Sequence, residues 1–178
     1  MKRSQLLNLL QHYQPAAEEV EFKKRMIDFI NQHQDCFERT LDVGHITASS
    51  WLLNKEKTHA LLTHHKKLNA WFQLGGHCDG ESDVLAVALK EAREESGIQA
   101  IEPLSNDIFD IDVHLIPANN VTPAHYHYDV RFLLQVTSDE TIVLSEESHS
   151  LAWVAKDRNS FPTKQRSVTR LFDKWLSM

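Results

Sequence analysis

Residues 75–98 read GGHCDGESDVLAVALKEAREESGI, and the fold turns on this stretch. Its second half, from Asp83 to Ser96, has the pattern of an amphipathic helix. Leu85, Ala88, Leu89 and Ala92 share one sector that can face a core. Ser82 or Asp83 can cap the start, and Gly97 suits the C-terminal stop. At about 100° per residue, Glu91, Glu94 and Glu95 gather in a sector about 100° wide. Three carboxylates on one side of a helix repel one another, and near the C-terminus they also oppose the macrodipole. Lys90 and Arg93 offset only part of that. The bland explanation is a solvated acidic face. The flanks favour another, because Gly75-Gly76 lies upstream and Asp79 and Glu81 occupy the loop between. Hard divalent cations take carboxylate and carbonyl oxygens, and a glycine turn lets a backbone carbonyl approach them.

Working outward, His45–Leu53 (HITASSWLL) and Thr58–Thr63 (THALLT) read as strands around an Asn54-Lys55-Glu56-Lys57 hairpin turn. Trp71–Leu74 is a short apolar run that Gly75-Gly76 should terminate. Ile108–Ile116 alternates, with Asp110, Asp112 and His114 on one face. His125–Val136 is a second long strand, beyond a Pro117–Pro123 loop. Leu151–Ala155 is a short strand. Lys164–Leu176 is a closing helix, with Val168, Leu171, Phe172 and Trp175 inward. Before all of these, Ser4–Tyr13 and Glu18–His33 read as helices separated by Pro15. The order implies an α/β sandwich (α+β) with a mixed sheet. Residues 1–40 form an N-terminal helical extension, and 41–178 the main domain.

The chain has 178 residues, 42% hydrophobic and 25% charged, with a net charge of −6. That length builds a sizeable core without disulfides. The acidic balance argues against binding a nucleic acid polymer. Cys36 and Cys78 could form one disulfide at most. No segment suits a membrane span or a cleaved leader, so the expected location is cytoplasmic. The unusual count is His, at 11.

Residues 76–98 resemble the Nudix box: Gly, five residues, Glu, seven residues, then Arg-Glu-apolar-any-Glu-Glu-any-Gly-apolar. Gly76, Glu91, Ala92, Glu94, Glu95, Gly97 and Ile98 fall on their places. Lys90 stands for the Arg. Ser82 holds the place of the first Glu, with Glu81 one residue earlier, where it could pair with Lys90. The resemblance implies a Nudix-type α/β/α sandwich and Mg2+ or Mn2+ held by Glu91, Glu94, Glu95 and the Gly75 carbonyl. It further implies water attack on a diphosphate linked to another moiety, of the ADP-ribose, nucleotide sugar or nucleoside triphosphate type. The general base would be a carboxylate, with Glu147 and its neighbour Glu146 as candidates. Two other readings remain. One is an isopentenyl-diphosphate isomerase-like enzyme, for which Cys78 is poorly placed. The other is a non-catalytic Nudix-fold ligand-binding or regulatory protein, which has no need of three crowded carboxylates. Similar proteins commonly dimerise, and the N-terminal helices could mediate a homodimer.

The histidines form a second group. His125, His127 and Asp129 share a face of one strand, as Asp112 and His114 do of the strand before. If those strands pair, a transition metal could sit at His114, His125 and His127, with His77 and Cys78 nearby. Alternatively His125, His127 and Arg131 contact the phosphates or base of a substrate. Lys67, in the His64–Lys67 run before the box, could add phosphate-binding charge. Trp71 and Phe72 are better read as core packing than as stacking surfaces.

Overall fold

The computed structural model describes residues 3–66, 68–143 and 148–178. The elements are α1 (Arg3–His12), α2 (Glu19–Gln32), β1 (Gly44–Leu53), β2 (His59–His65), β3 (Ala70–Phe72), β4 (Leu74–His77), α3 (Val84–Ser96), β5 (Ile101–Pro103), β6 (Asp110–Ile116), β7 (His125–Val136), β8 (Ser148–Ala155) and α4 (Arg166–Leu176). Among the described residues the eight strands join in one mixed sheet. Its spine is β1 and β7, paired in parallel from Gly44↔Tyr126 to Leu53↔Gln135. β1 forks on its other side, to β4 over Thr47–Ser50 and to β2 at Leu52 and Leu53. β7 forks likewise, to β6 near its start and to β5 near its end. The fold is α+β, as the order of elements implies.

The local signals in the box act as expected. The Asp83 carboxylate accepts the Ala86 N–H at 3.1 Å and caps α3. Gly97 ends the helix at φ 76°, a left-handed conformation that glycine adopts freely. Val84, Val87, Ala88 and Ala92 of α3 join Ile46 and Ala48 of β1, Val130 of β7, and Leu6, Leu10, Met26 and Ile30 of the N-terminal helices in one apolar cluster. α4 closes a second cluster, where Val168, Leu171, Phe172 and Trp175 meet Trp51, Leu53, Leu62 and Leu133. Trp71 and Phe72 pack against this second cluster. In α2, Val20 departs from the apolar pattern and is exposed.

One expectation is corrected. Gly75-Gly76 does not terminate a strand but lies inside β4, paired with Ser49 and Ala48 of β1. The glycines serve close approach. A Cβ on Gly75 would lie 2.6 Å from Ser49 Cα and 2.7 Å from the Ala48 carbonyl oxygen. β5 also went unanticipated, being only three residues long.

The strand registers stack three polar rows on one face of the sheet. Asp110, Arg131, Ser49 and Gly75 are successive cross-strand partners; so are Asp112, Asp129, Thr47 and His77; so are His114, His127 and His45. The first two rows close on Arg131, which is 1% exposed. Its guanidinium donates to Asp129 at 2.7 Å, Asp110 at 3.0 Å and Asp112 at 3.1 Å, and to the Ser167 hydroxyl at 2.7 Å. Arg170 of α4 adds bonds of 2.9 Å to both Asp110 oxygens, and Lys174 lies 2.9 Å from Asp110. The first residue of α2, Glu19, reaches the same network: it accepts from Tyr13 Oη at 2.8 Å and pairs with Lys174.

Burial alone would raise the Asp110 carboxyl, yet Arg131 and Arg170 hold it down to about 2. Asp112 is buried as well, and His114, Arg131 and Arg170 hold it lower still. Removing one partner of a buried ion network costs about 3–5 kcal/mol. Arg131→Leu should therefore destabilise the fold by about that much in denaturant titrations near neutral pH. Depressed carboxyls stabilise fully above their ordinary value of 3.8 and lose that contribution as pH falls towards 2. The gap between wild type and variant should accordingly narrow across that window, and a constant gap would contradict this account.

Candidate active site

The glycine pair and α3 together build an oxygen-rich corner. A Cβ on Gly76 would lie 2.5 Å from Glu91 Oε2, so only glycine leaves room for that carboxylate against β4. Gly75 N–H points at Glu95 Oε1, at a long 3.5 Å. Glu91 and Glu95 are half-buried there, whereas the Glu94 side chain is 60% exposed. The Lys90 ammonium lies 3.2 Å from Glu91 and 3.4 Å from Glu94, bridging the two carboxylates. Its hydrogen bond to Glu91 raises the Lys90 pKa. The anticipated Glu81–Lys90 pairing is replaced by these contacts. Glu81 instead accepts the Asp83 N–H at 2.8 Å, so the displaced acid steadies the start of α3.

The loop into α3 is tied down elsewhere. Asp79 and Gly80 take φ values of 49° and 85°. Arg39 grips Asp79 with two hydrogen bonds and lowers its pKa, and the Gly80 N–H bonds the Phe37 carbonyl at 3.1 Å. Arg93 of α3 donates to the Gln99 and Ile101 carbonyls, which ties the acidic helix to β5. The Arg39–Asp79 clamp carried no sequence signal, because its partners are forty positions apart. Cys36 and Cys78 are both buried free thiols, and burial pushes Cys36 up to about 11 and Cys78 higher.

The histidines converge, though not in the expected set. The tight group is His45, His77 and His127, whose ligand atoms all lie within 4.8 Å of one another. His45 is central, with ring centroids 5.1 Å from His77, 5.1 Å from His125 and 4.7 Å from His127. His114 and His125 stand outside the triad. His114 Nδ1 lies 3.1 Å from Asp112, and His125 Nδ1 lies 2.8 Å from the Pro123 carbonyl oxygen. The expected set of His114, His125 and His127 leaves out His45, which sits on another strand, β1. The clue was the alternation of His45, Thr47 and Ser49 along β1.

Arg131 requires a correction as well. Offered as a substrate contact, it is enclosed by Asp110, Asp112 and Asp129, so its guanidinium is not open to a phosphate. His125 is also buried, at 8% exposure. Lys67, Glu146 and Glu147 lie outside the described residues.

With this geometry in hand, the chain can be set beside known proteins. A family profile described as the NUDIX domain matches residues 43–176. Similar solved structures include a C. elegans Ap4A hydrolase binary complex, 17% identical, with a TM-score of 0.59 over 74% of this chain and 95% of that one. A Clostridium perfringens hydrolase of the NUDIX family is 24% identical, with a TM-score of 0.53 over 74% and 95% of the two chains. The E. coli dihydroneopterin triphosphate pyrophosphohydrolase is 14% identical, with a TM-score of 0.57 over 74% and 94%. Comparison with curated protein sequences finds no match. Those structures share the fold, the profile spans most of the chain, and the acidic helix stands against its glycine pair: this chain is a member of the Nudix hydrolase family.

Proposed function

We propose that the chain hydrolyses a phosphoanhydride bond of a nucleoside diphosphate linked to another moiety, of the ADP-ribose, nucleotide sugar or nucleoside triphosphate type. The carrying observation is the seating of Glu91 against Gly76 and of Glu95 against Gly75, with Lys90 bridging Glu91 and Glu94. The donor set fits Mg2+ or Mn2+, because carboxylates and a backbone carbonyl are hard oxygen ligands. Glu91, Glu94, Glu95 and the Gly75 carbonyl would hold the ion. When bound, such an ion neutralises the diphosphate, acidifies its water and stabilises charge on the phosphoryl oxygens.

The chain's own residues do the rest. α3 presents the carboxylates from a rigid element capped at both ends, and Arg93 fixes its C-terminal turn. Lys90 competes for the carboxylates that the metal needs, so metal affinity is set against an ammonium on the same helix. Lys67 is proposed to supply phosphate-binding charge, and Glu147 to accept the proton of the attacking water. The names of two fold relatives, Ap4A hydrolase and dihydroneopterin triphosphate pyrophosphohydrolase, accord with a phosphoanhydride substrate. An isomerase reading has less support, since Cys78 is 4% exposed and packed in the apolar cluster.

The primary test is release of phosphate or nucleotide from a panel of diphosphate compounds with Mg2+ or Mn2+. Glu94→Gln should lower kcat/KM by about a hundredfold or more, by analogy with lost metal-site contacts. Wild-type rates in that variant would refute the metal role. The glycines should separate by readout. Gly76→Ala displaces only the end of the Glu91 side chain, so it should raise the Mg2+ requirement with a small change in Tm. Gly75→Ala must move the β1 backbone and should cost about 1–3 kcal/mol of stability. Glu147→Gln should lower kcat by about 10²–10⁴ with KM little changed, and an unaltered kcat would remove it as base.

A further inference from the structure

The strongest unassigned feature is the imidazole cluster on the polar face. His45 is 2% exposed, and neither of its ring nitrogens has a hydrogen-bond partner among the described residues. His127 Nε2 is likewise buried without one. Buried polar atoms nearly always find partners, so three such atoms in one place call for an explanation. Each belongs to a ring of the triad whose ligand atoms lie within 4.8 Å of one another.

From this geometry we infer a second metal site, in which His45, His77 and His127 bind one transition-series divalent ion of the Zn2+ type. The inference does not rest on the hydrolase reading. Zn–N bonds of about 2.0–2.1 Å place tetrahedral ligands about 3.3 Å apart, so small ring rotations would close the present spacing. Imidazole suits Zn2+, Co2+ or Ni2+, whereas Mg2+ prefers oxygen. Three ring nitrogens leave a fourth position for water or a ligand oxygen. Coordination needs neutral rings, the form imidazole takes above its ordinary value of about 6.5. His114 and His125 flank the triad with their Nδ1 atoms already engaged by Asp112 and the Pro123 carbonyl. The ion would join β1, β4 and β7 beside the glycine pair, because His77 follows Gly76 directly.

The test uses the full chain stripped with a chelator, then titrated with Co2+ in excess Mg2+ to keep the carboxylates occupied. One equivalent of Co2+ should bind with the intense visible bands of a low-coordinate nitrogen site. Zn2+ should displace it and raise Tm. His77→Asn, at a half-buried position, and His45→Asn should each weaken Co2+ binding by roughly a hundredfold or more. Glu94→Gln should leave the bands intact. Absent bands and an unmoved Tm in the wild-type protein would overturn the site, and that result needs no variant to fold. Bands that persist in both histidine variants, or vanish in Glu94→Gln, would overturn it too. Normal Co2+ bands in a protein that hydrolyses no diphosphate would sink the hydrolase reading alone.

Discussion

The central constraint is the guanidinium of Arg131, held in the middle of the sheet at 1% exposure. A buried cation is tolerable only when its charge is matched and its donors are satisfied. Arg131, Arg170 and Lys174 face Asp110, Asp112 and Asp129, three charges of each sign. Glu19 is the additional acid, and burial followed by its contact with Asp110 raises its pKa towards the neutral form. The partners come from β6, β7, α2 and α4, so the network can be satisfied only when those four elements have assembled. It specifies the arrangement of the sheet as much as it stabilises it.

What could be read from the chain follows from the range of each interaction. α3 was legible because its caps, apolar sector and stop lie within a few residues of one another. β6 and β7 were legible because alternation is local, and their pairing brings Asp112 opposite Asp129 and His114 opposite His127. The glycine pair misled, because glycine ends strands and also permits close approach. Only the neighbour decides between these, and the neighbour is Ser49, 26 positions earlier. Arg131 read as an open basic residue for the same reason. Its partner Asp110 lies 21 positions away, and Arg170 approaches Asp110 across 60. His45 was hidden inside a strand whose ten residues are all buried, a pattern typical of a central strand covered on both sides.

The same alternation would put the two proposed metal sites on opposite faces of one short strand. Gly76 pairs with Ala48, which belongs to the apolar cluster under α3, and the Glu91 carboxylate rests against it. His77 pairs with Thr47, on the polar face that carries His45 and His127. Adjacent residues of β4 therefore address opposite sides of the sheet, hard oxygens on one and imidazole nitrogens on the other. A slip of one residue would exchange every side chain between faces. Sterics restrict the register, because Gly75 sits where any Cβ would strike the Ser49 backbone, which bars Leu74 and His77 from that place. The two glycines thus divide the work: Gly76 leaves room for the Glu91 carboxylate, and Gly75 lets β4 lie close against β1.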